Sequence, residues 1–212
     1  MKGTRMAGKL KIFIALATTA AAAIAAPAAN AGLLVTSAES CASQHFSQPF
    51  SAWGDNANYT PVPGGAFEPG QKGWALSGGA KIVSGNERYY VRSSGDSRSL
   101  QLPAGAVATS PSMCVGLAEP TIRWFQKNSS LLGLTGSMTV SVLTETSLGL
   151  VTETPVGGGL LTSAWSPSLT GVVVTNLLPL LPDDKTAVAF RFRSLTGTWN
   201  VDDVYVDPFA RR

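Results

Sequence analysis

From residue 45 onward, apolar and polar residues alternate with period two, the signature of strands with one buried face. Ser137 to Leu143 reads Ser-Met-Thr-Val-Ser-Val-Leu, and Ala187 to Phe192 reads Ala-Val-Ala-Phe-Arg-Phe. Further short strands are predicted at Ala80–Val83, Arg88–Val91, Ser99–Leu102, Ser112–Val115, Thr121–Gln126, Gly171–Thr175 and Val201–Val206. His45 to Phe50 is strand-like but interrupted by Pro49, which suits a sheet edge. Gly64-Gly65, Gly78-Gly79, Ser94-Gly95-Asp96, Pro103-Ala104-Gly105 and Gly157-Gly158-Gly159 punctuate these runs as turns. No ten-residue amphipathic helix and no repeat of fixed period accompany them. The pattern predicts an all-β antiparallel sandwich or barrel, one domain over 45–212 after a lead-in at 32–44.

The N-terminus follows a different rule. Lys2, Arg5, Lys9 and Lys11 precede an apolar run from Ile12 to Ala26, and Ala29-Asn30-Ala31 offers a small-x-small cleavage site. This predicts a cleavable signal peptide over 1–31, because the apolar run of fifteen residues is short of the roughly 20 that span a bilayer. Cleavage removes 4 of the 16 Lys and Arg and leaves 12 against 13 Asp and Glu, so the mature chain sits near −1 rather than +3. That balance gives no basis for nucleic-acid or anionic-membrane binding, and Arg211-Arg212 reads as a solvated tail. The expected location is extracellular, the protein being either released or held at the surface by non-covalent contacts. In an exported chain the two cysteines, Cys41 and Cys114, most simply pair, closing a loop of about 74 residues.

The same inventory narrows the chemistry. One histidine, His45, and two cysteines leave little room for zinc sites, iron–sulfur clusters or a histidine-centred triad. Neither a G-x-S-x-G elbow nor a phosphate-binding glycine loop is present. Glu87, Asp96, Glu119, Glu145 and Glu153 are carboxylates that sequence alone does not pair into a glycosidase site.

Gly64-Gly65-Ala66-Phe67-Glu68-Pro69-Gly70-Gln71-Lys72-Gly73-Trp74 and Trp199-Asn200-Val201-Asp202-Asp203-Val204-Tyr205-Val206 stand near the two ends of the predicted domain. Together they resemble the opening and closing strands of galactose-binding-like jelly rolls, the fold of many carbohydrate-binding modules. One departure is Pro63, where the pattern has Asn. The mature chain is also similar to uncharacterised exported proteins of high-GC Gram-positive bacteria that carry the same opening and an Asp-Asp-Val-Tyr-Val-Asp-Pro close. The resemblance implies a jelly-roll β-sandwich that binds carbohydrate or cell-wall glycan without catalysis. It also implies a structural calcium joining first and last strands, with Glu68 and Asp202 supplying carboxylates.

Aromatic and arginine side chains supply the candidate contacts. Flat rings stack on sugar faces, and Trp53, Tyr59 and Trp165 are placed in or beside loops. Adjacent residues in one strand point to opposite faces, so Tyr90 beside Tyr89, and Trp124 beside Phe125, become candidate surface platforms. Trp74 and Trp199 are expected inside. Arg191 and Arg193 alternate with Phe190 and Phe192; with Arg123 on a neighbouring strand they would form a face able to grip hydroxyls or uronic carboxylates, or simply to pair with acids. Two other functions fit the same residues: a surface structural or protein-interaction protein using Leu131-Leu132 and Leu177–Leu181, and a jelly-roll hydrolase or lyase with a cleft of convergent carboxylates.

Overall fold

A computed structural model of the chain describes residues 40–71, 73–117, 120–175 and 183–209, with 34, 38 and 181 as isolated positions. The expected signal peptide, Glu119, most of Leu177–Leu181 and Arg211-Arg212 lie outside the described residues. The strands are, in chain order, β1 (Thr60–Pro61), β2 (Ala75–Ser77), β3 (Lys81–Ser84), β4 (Arg98–Leu102), β5 (Val107–Thr109), β6 (Met113–Gly116) and β7 (Thr121–Asn128). They continue as β8 (Ser137–Glu145), β9 (Val151–Gly158), β10 (Ser166–Pro167), β11 (Gly171–Val172), β12 (Lys185–Thr196) and β13 (Trp199–Asp207).

Two antiparallel sheets make a sandwich. In the first, β10, β7, β13, β4 and β3 lie side by side, with β1 also on β13 and β11 also on β7. In the second the order is β2, β5, β12, β8, β9, with β6 also on β12. Alternation sends Leu100, Ile122, Trp124 and Val201 from one sheet, and Met113, Val140, Val142, Phe190 and Phe192 from the other, into one shared core. Trp124 meets Phe192 edge-on across it, with ring centroids 5.3 Å apart. Trp199 is wholly buried, and Trp74 packs partly buried against the core. The first and last strands of the sandwich touch, since Thr60 pairs with Val206 and Pro61 with Tyr205.

The main strands fall where the sequence places them, and four expectations need correction. Residues 88–90 are a turn rather than a strand, and Tyr90 has φ 52°. His45 to Phe50 makes a single bridge, Ser47 to Tyr59, and then turns, burying Phe50. Gly157 and Gly158 belong to β9, a strand that the glycine run conceals. Their smallness serves packing: a Cβ on Gly157 would come within 2.9 Å of the Trp124 ring, and one on Gly159 would collide with Trp199. Arg123 and the Arg191/Arg193 pair do not share a face either, because β7 and β12 lie in different sheets.

The N-terminal stretch from Cys41 to Tyr59 is a strap. It carries two single-turn 3-10 helices, Cys41–Ser43 and Ser51–Trp53. Cys41 and Cys114 form the disulfide the cysteine count predicts, with Cα atoms 5.2 Å apart. None of the strap's described residues enters the main core, which starts at Val62. Phe50 and Tyr59 instead build a second apolar cluster with Phe125, Trp165 and Tyr205 on the outer side of the first sheet.

Candidate functional site: an aromatic-rimmed cleft under the strap

Strand parity sets the floor of the site. Trp124 faces the core, so Arg123 and Phe125 face outward under the strap. The Arg123 guanidinium lies over the Phe50 ring, 4.3 Å from its centroid. Its Nη1 donates to Asp55 Oδ2 at 2.8 Å, and its Nε and Nη2 donate to the Ser168 carbonyl at 3.2 and 2.9 Å. Asp55 also accepts from the Tyr59 hydroxyl at 2.8 Å and the Ala57 N–H at 3.1 Å. Partial burial alone would raise the Asp55 carboxyl; the hydrogen bonds from Tyr59, Ala57 and Arg123 outweigh it and hold the group below its ordinary range. Burial and the Asp55 partner push the Tyr59 phenol up to about 12.

Above this floor the strap and the loop after β10 enclose an open cleft of about 870 Å³. Trp53, Phe46 and Phe209 form apolar walls; Asn56, Asn58, Thr170 and Asp207 add polar groups. Trp53 ends its 3-10 turn because Gly54 adopts φ 79°, a left-handed conformation open to glycine. The indole then leans edge-on against Tyr89 at 4.8 Å and Phe125 at 5.4 Å, leaving Trp53 37% exposed and Tyr89 40% exposed. Tyr89 is fixed by its hydroxyl, which donates to the Trp165 carbonyl at 2.9 Å.

The structure therefore gathers Trp53, Tyr59, Trp165 and Arg123 into one neighbourhood but gives them different tasks. Trp53 is at the surface. Tyr59 is fully buried and orients Asp55, while Trp165 is buried with the Lys127 ammonium 5.0 Å from its ring centroid. Arg123 is also buried and bonded. Trp124 is 1% exposed and fills the core, so it is no surface platform. Tyr90 is exposed on the turn beyond Tyr89. Arg191 and Arg193 stand on the opposite side of the molecule, on the outer face of the second sheet. Asp55, Asp207, Phe46, Phe209 and Tyr89 enlarge the predicted set. The Trp53-Gly54-Asp55-Asn56 turn is the sequence signal that could have pointed to Asp55.

Behind the loop 86–96 lies a second group of acids. Glu87, Asp96, Asp202 and Asp203 are all buried, with Arg92 as their cation. Glu87 accepts from the N–H groups of Tyr89 and Val91, which holds the loop that carries Tyr89. Asp202 accepts from the N–H of Glu87 at 2.8 Å and of Asp203 at 2.9 Å. Glu68 accepts from the N–H groups of Ser97 and Arg98 at 2.6 and 2.8 Å. Asp203 differs: its φ is 42°, both carboxylate oxygens are buried without a hydrogen bond, and Arg92 Nε is 3.9 Å away. Burial, reinforced by the charge of Asp203, pushes Asp202 up to about 9; burial with Glu87 and Asp96 pushes Asp203 up to about 7. Among the described residues, no three His, Cys, Asp or Glu side chains are grouped to hold a metal. The carboxylate with unused oxygens is Asp203, and not the Asp202 that the sequence motif suggests.

No protein-family model matches this chain, and no curated protein matches it. Among solved structures it is similar to the CBM22-1–GH10 modules of Clostridium thermocellum endo-1,4-beta-D-xylanase 10B complexed with xylohexaose, at 14% identity and a TM-score of 0.45. That alignment covers 66% of this chain and 27% of the other. The CBM22-1–CBM22-2 tandem domain of Paenibacillus barcinonensis Xyn10C aligns at 17% identity and a TM-score of 0.44, over 69% of this chain and 44% of that one. The CBM22-1 xylan-binding domain of the same protein aligns at 15% and 0.43, over 73% and 94%. None of the three reaches a TM-score of 0.5, and they are likenesses that assign this chain no ligand.

Proposed function

We propose that this chain is an exported, non-catalytic glycan-binding module and that its binding site is the cleft under the strap. The observation that carries the reading is the exposed Trp53–Tyr89 pair beside a floor of fixed polar groups. Sugar rings present apolar C–H faces to aromatic rings, and hydroxyls that both donate and accept. Asp55 offers acceptors, Arg123 donors, and Asn56 and Asn58 both, while burial and hydrogen bonding hold the first two in place before any ligand arrives. Asp55 and Arg123 neutralise one another, and Asp55 is held in its ionised form, which suits hydrogen bonding rather than proton donation to a leaving group.

Calcium belongs to the same proposal as a structural ion. Asp203 and Glu68 would supply its carboxylates, Asp203 replacing Asp202, and backbone carbonyls would complete the oxygen shell. The two oxygens of Asp203, buried without a hydrogen bond, support this assignment.

The test is retention of the mature protein on a panel of insoluble polysaccharides that includes xylan, with Trp53→Ala alongside. Retention of wild type and its loss in Trp53→Ala, with an unchanged melting curve, is the expected result. Passage of the folded wild type through the whole panel would refute the reading.

A further inference from the structure

The far side of the molecule carries a different chemistry. Phe190 and Phe192 are wholly buried in the core, so alternation puts Arg191 and Arg193 on the outer face of the second sheet, on its central strand β12. The register shows what surrounds them. Across the sheet, Arg191 is level with Thr109 and Ala75 on one side and with Ser141 and Pro155 on the other. Arg193 is level with Val107 and Ser77, and with Thr139 and Gly158. Two guanidinium groups thus stand on a floor of small side chains, several of them hydroxyls.

The two arginines share one carboxylate. Arg191 Nη1 donates to Glu153 Oε2 at 2.6 Å and its Nε donates to Thr109 Oγ1 at 3.2 Å. Arg193 Nη2 is 4.0 Å from Glu153 Oε1, too far for a hydrogen bond. The pair keeps an excess positive charge, and both guanidinium groups are partly exposed, 31% and 42% at the side chain.

We infer that this face is a second binding site, one that takes the oxyanions of an acidic polysaccharide. A planar guanidinium pairs two N–H groups with two oxygens of a carboxylate or phosphate, and threonine and serine hydroxyls beside it add further donors. Arginines at i and i+2 on one strand stand about 7 Å apart, so a chain with repeated acidic groups engages both. The face is independent of the cleft: none of its groups contacts Trp53, Asp55 or Arg123. Glu153 competes for the same donors and sets the affinity.

Equilibrium binding of the folded mature protein to soluble polygalacturonate at low ionic strength tests this. Methyl-esterified polygalacturonate serves as the uncharged control and a phosphomannan as the phosphate arm. Binding to either acidic polymer, fading toward 1 M salt where the screening length is about 3 Å, supports the site and assigns the oxyanion. Arg191→Ala with Arg193→Ala should weaken it about tenfold or more per arginine, Arg191→Lys with Arg193→Lys less, and Glu153→Gln should strengthen it. Trp53→Ala should leave it unchanged, which separates this site from the cleft. Equal binding of the esterified control, no binding of either acidic polymer, an unaffected double alanine variant, or a loss in Trp53→Ala would each overturn the inference.

Discussion

Asp55→Ala tests how the strap is held on the sheet. The carboxylate accepts from three donors: Arg123 Nη1, Tyr59 Oη and the Ala57 N–H. The ion pair is largely out of solvent, with side chains 9% and 16% exposed. Breaking a buried pair by removing one partner costs about 3–5 kcal/mol, because the remaining charge is left desolvated. The buried Tyr59 hydroxyl loses its acceptor as well, worth about 1–3 kcal/mol on its own, but these losses share one network and do not add. Arg123 retains its bonds to the Ser168 carbonyl and its place over Phe50, which trims the loss. The expected destabilisation is therefore about 3 kcal/mol. Arg123→Met keeps an apolar stem over Phe50, and the double variant Asp55→Ala/Arg123→Met should recover at least about 1 kcal/mol relative to Asp55→Ala, since no unpaired charge remains. Urea unfolding followed by tryptophan fluorescence measures all four proteins of the cycle. A loss below about 0.5 kcal/mol for Asp55→Ala, the size of an exposed pair, would refute the claim that this network fastens the strap.

Other consequences can be measured with the same protein. Because Asp55 is held below its ordinary 3.8, its contribution is present above that value and is lost as pH falls through the lower folded value; the acid limb of a pH–stability curve should flatten in Asp55→Asn, and an unaltered limb contradicts this. Cys41→Ser/Cys114→Ser should lower the melting temperature by roughly 10 °C, from about 4 kcal/mol of loop-closure entropy, while the far-ultraviolet spectrum stays all-β; loss of the β spectrum would show that the strap is needed for the core. Calcium should raise the melting temperature of the chelated wild type and leave Asp203→Asn unmoved, and a rise in both proteins would place the ion elsewhere.

The runs rich in apolar, aromatic and β-branched residues were enough to locate β7, β8, β12 and β13; all four are buried along most of their length, and β7 and β13 are covered on both faces. That signal failed where side chains answer to a neighbour rather than to a pleat. The glycines at 157–159 read as a turn, yet Gly157 and Gly159 are small because Trp124 and Trp199 occupy the space above them, and Gly158 because the Met138 carbonyl does. Tyr89 and Tyr90 read as a strand, yet the Glu87 carboxylate just before them accepts from the backbone N–H groups of Tyr89 and Val91 and closes a turn. The disulfide was legible from the cysteine count alone, and the outward direction of Arg191 and Arg193 from strand parity. The cleft was only half legible. Trp53 and Arg123 stood out by residue type, but Asp207 and Phe209 join them through the meeting of the first and last strands, a contact between residues some 150 positions apart. The four buried acids come together in the same way, and nothing in a one-dimensional pattern distinguishes the hydrogen-bonded Asp202 from Asp203 beside it, whose carboxylate accepts no hydrogen bond.

A crystal structure of the protein soaked with an oligosaccharide of whichever glycan retains it tests the cleft as the binding site directly. One sugar ring is expected against the Trp53 indole, with its hydroxyls bonded to Asp55 and Arg123. Sugar density elsewhere on the molecule, with the cleft holding only water at saturating ligand, would contradict it.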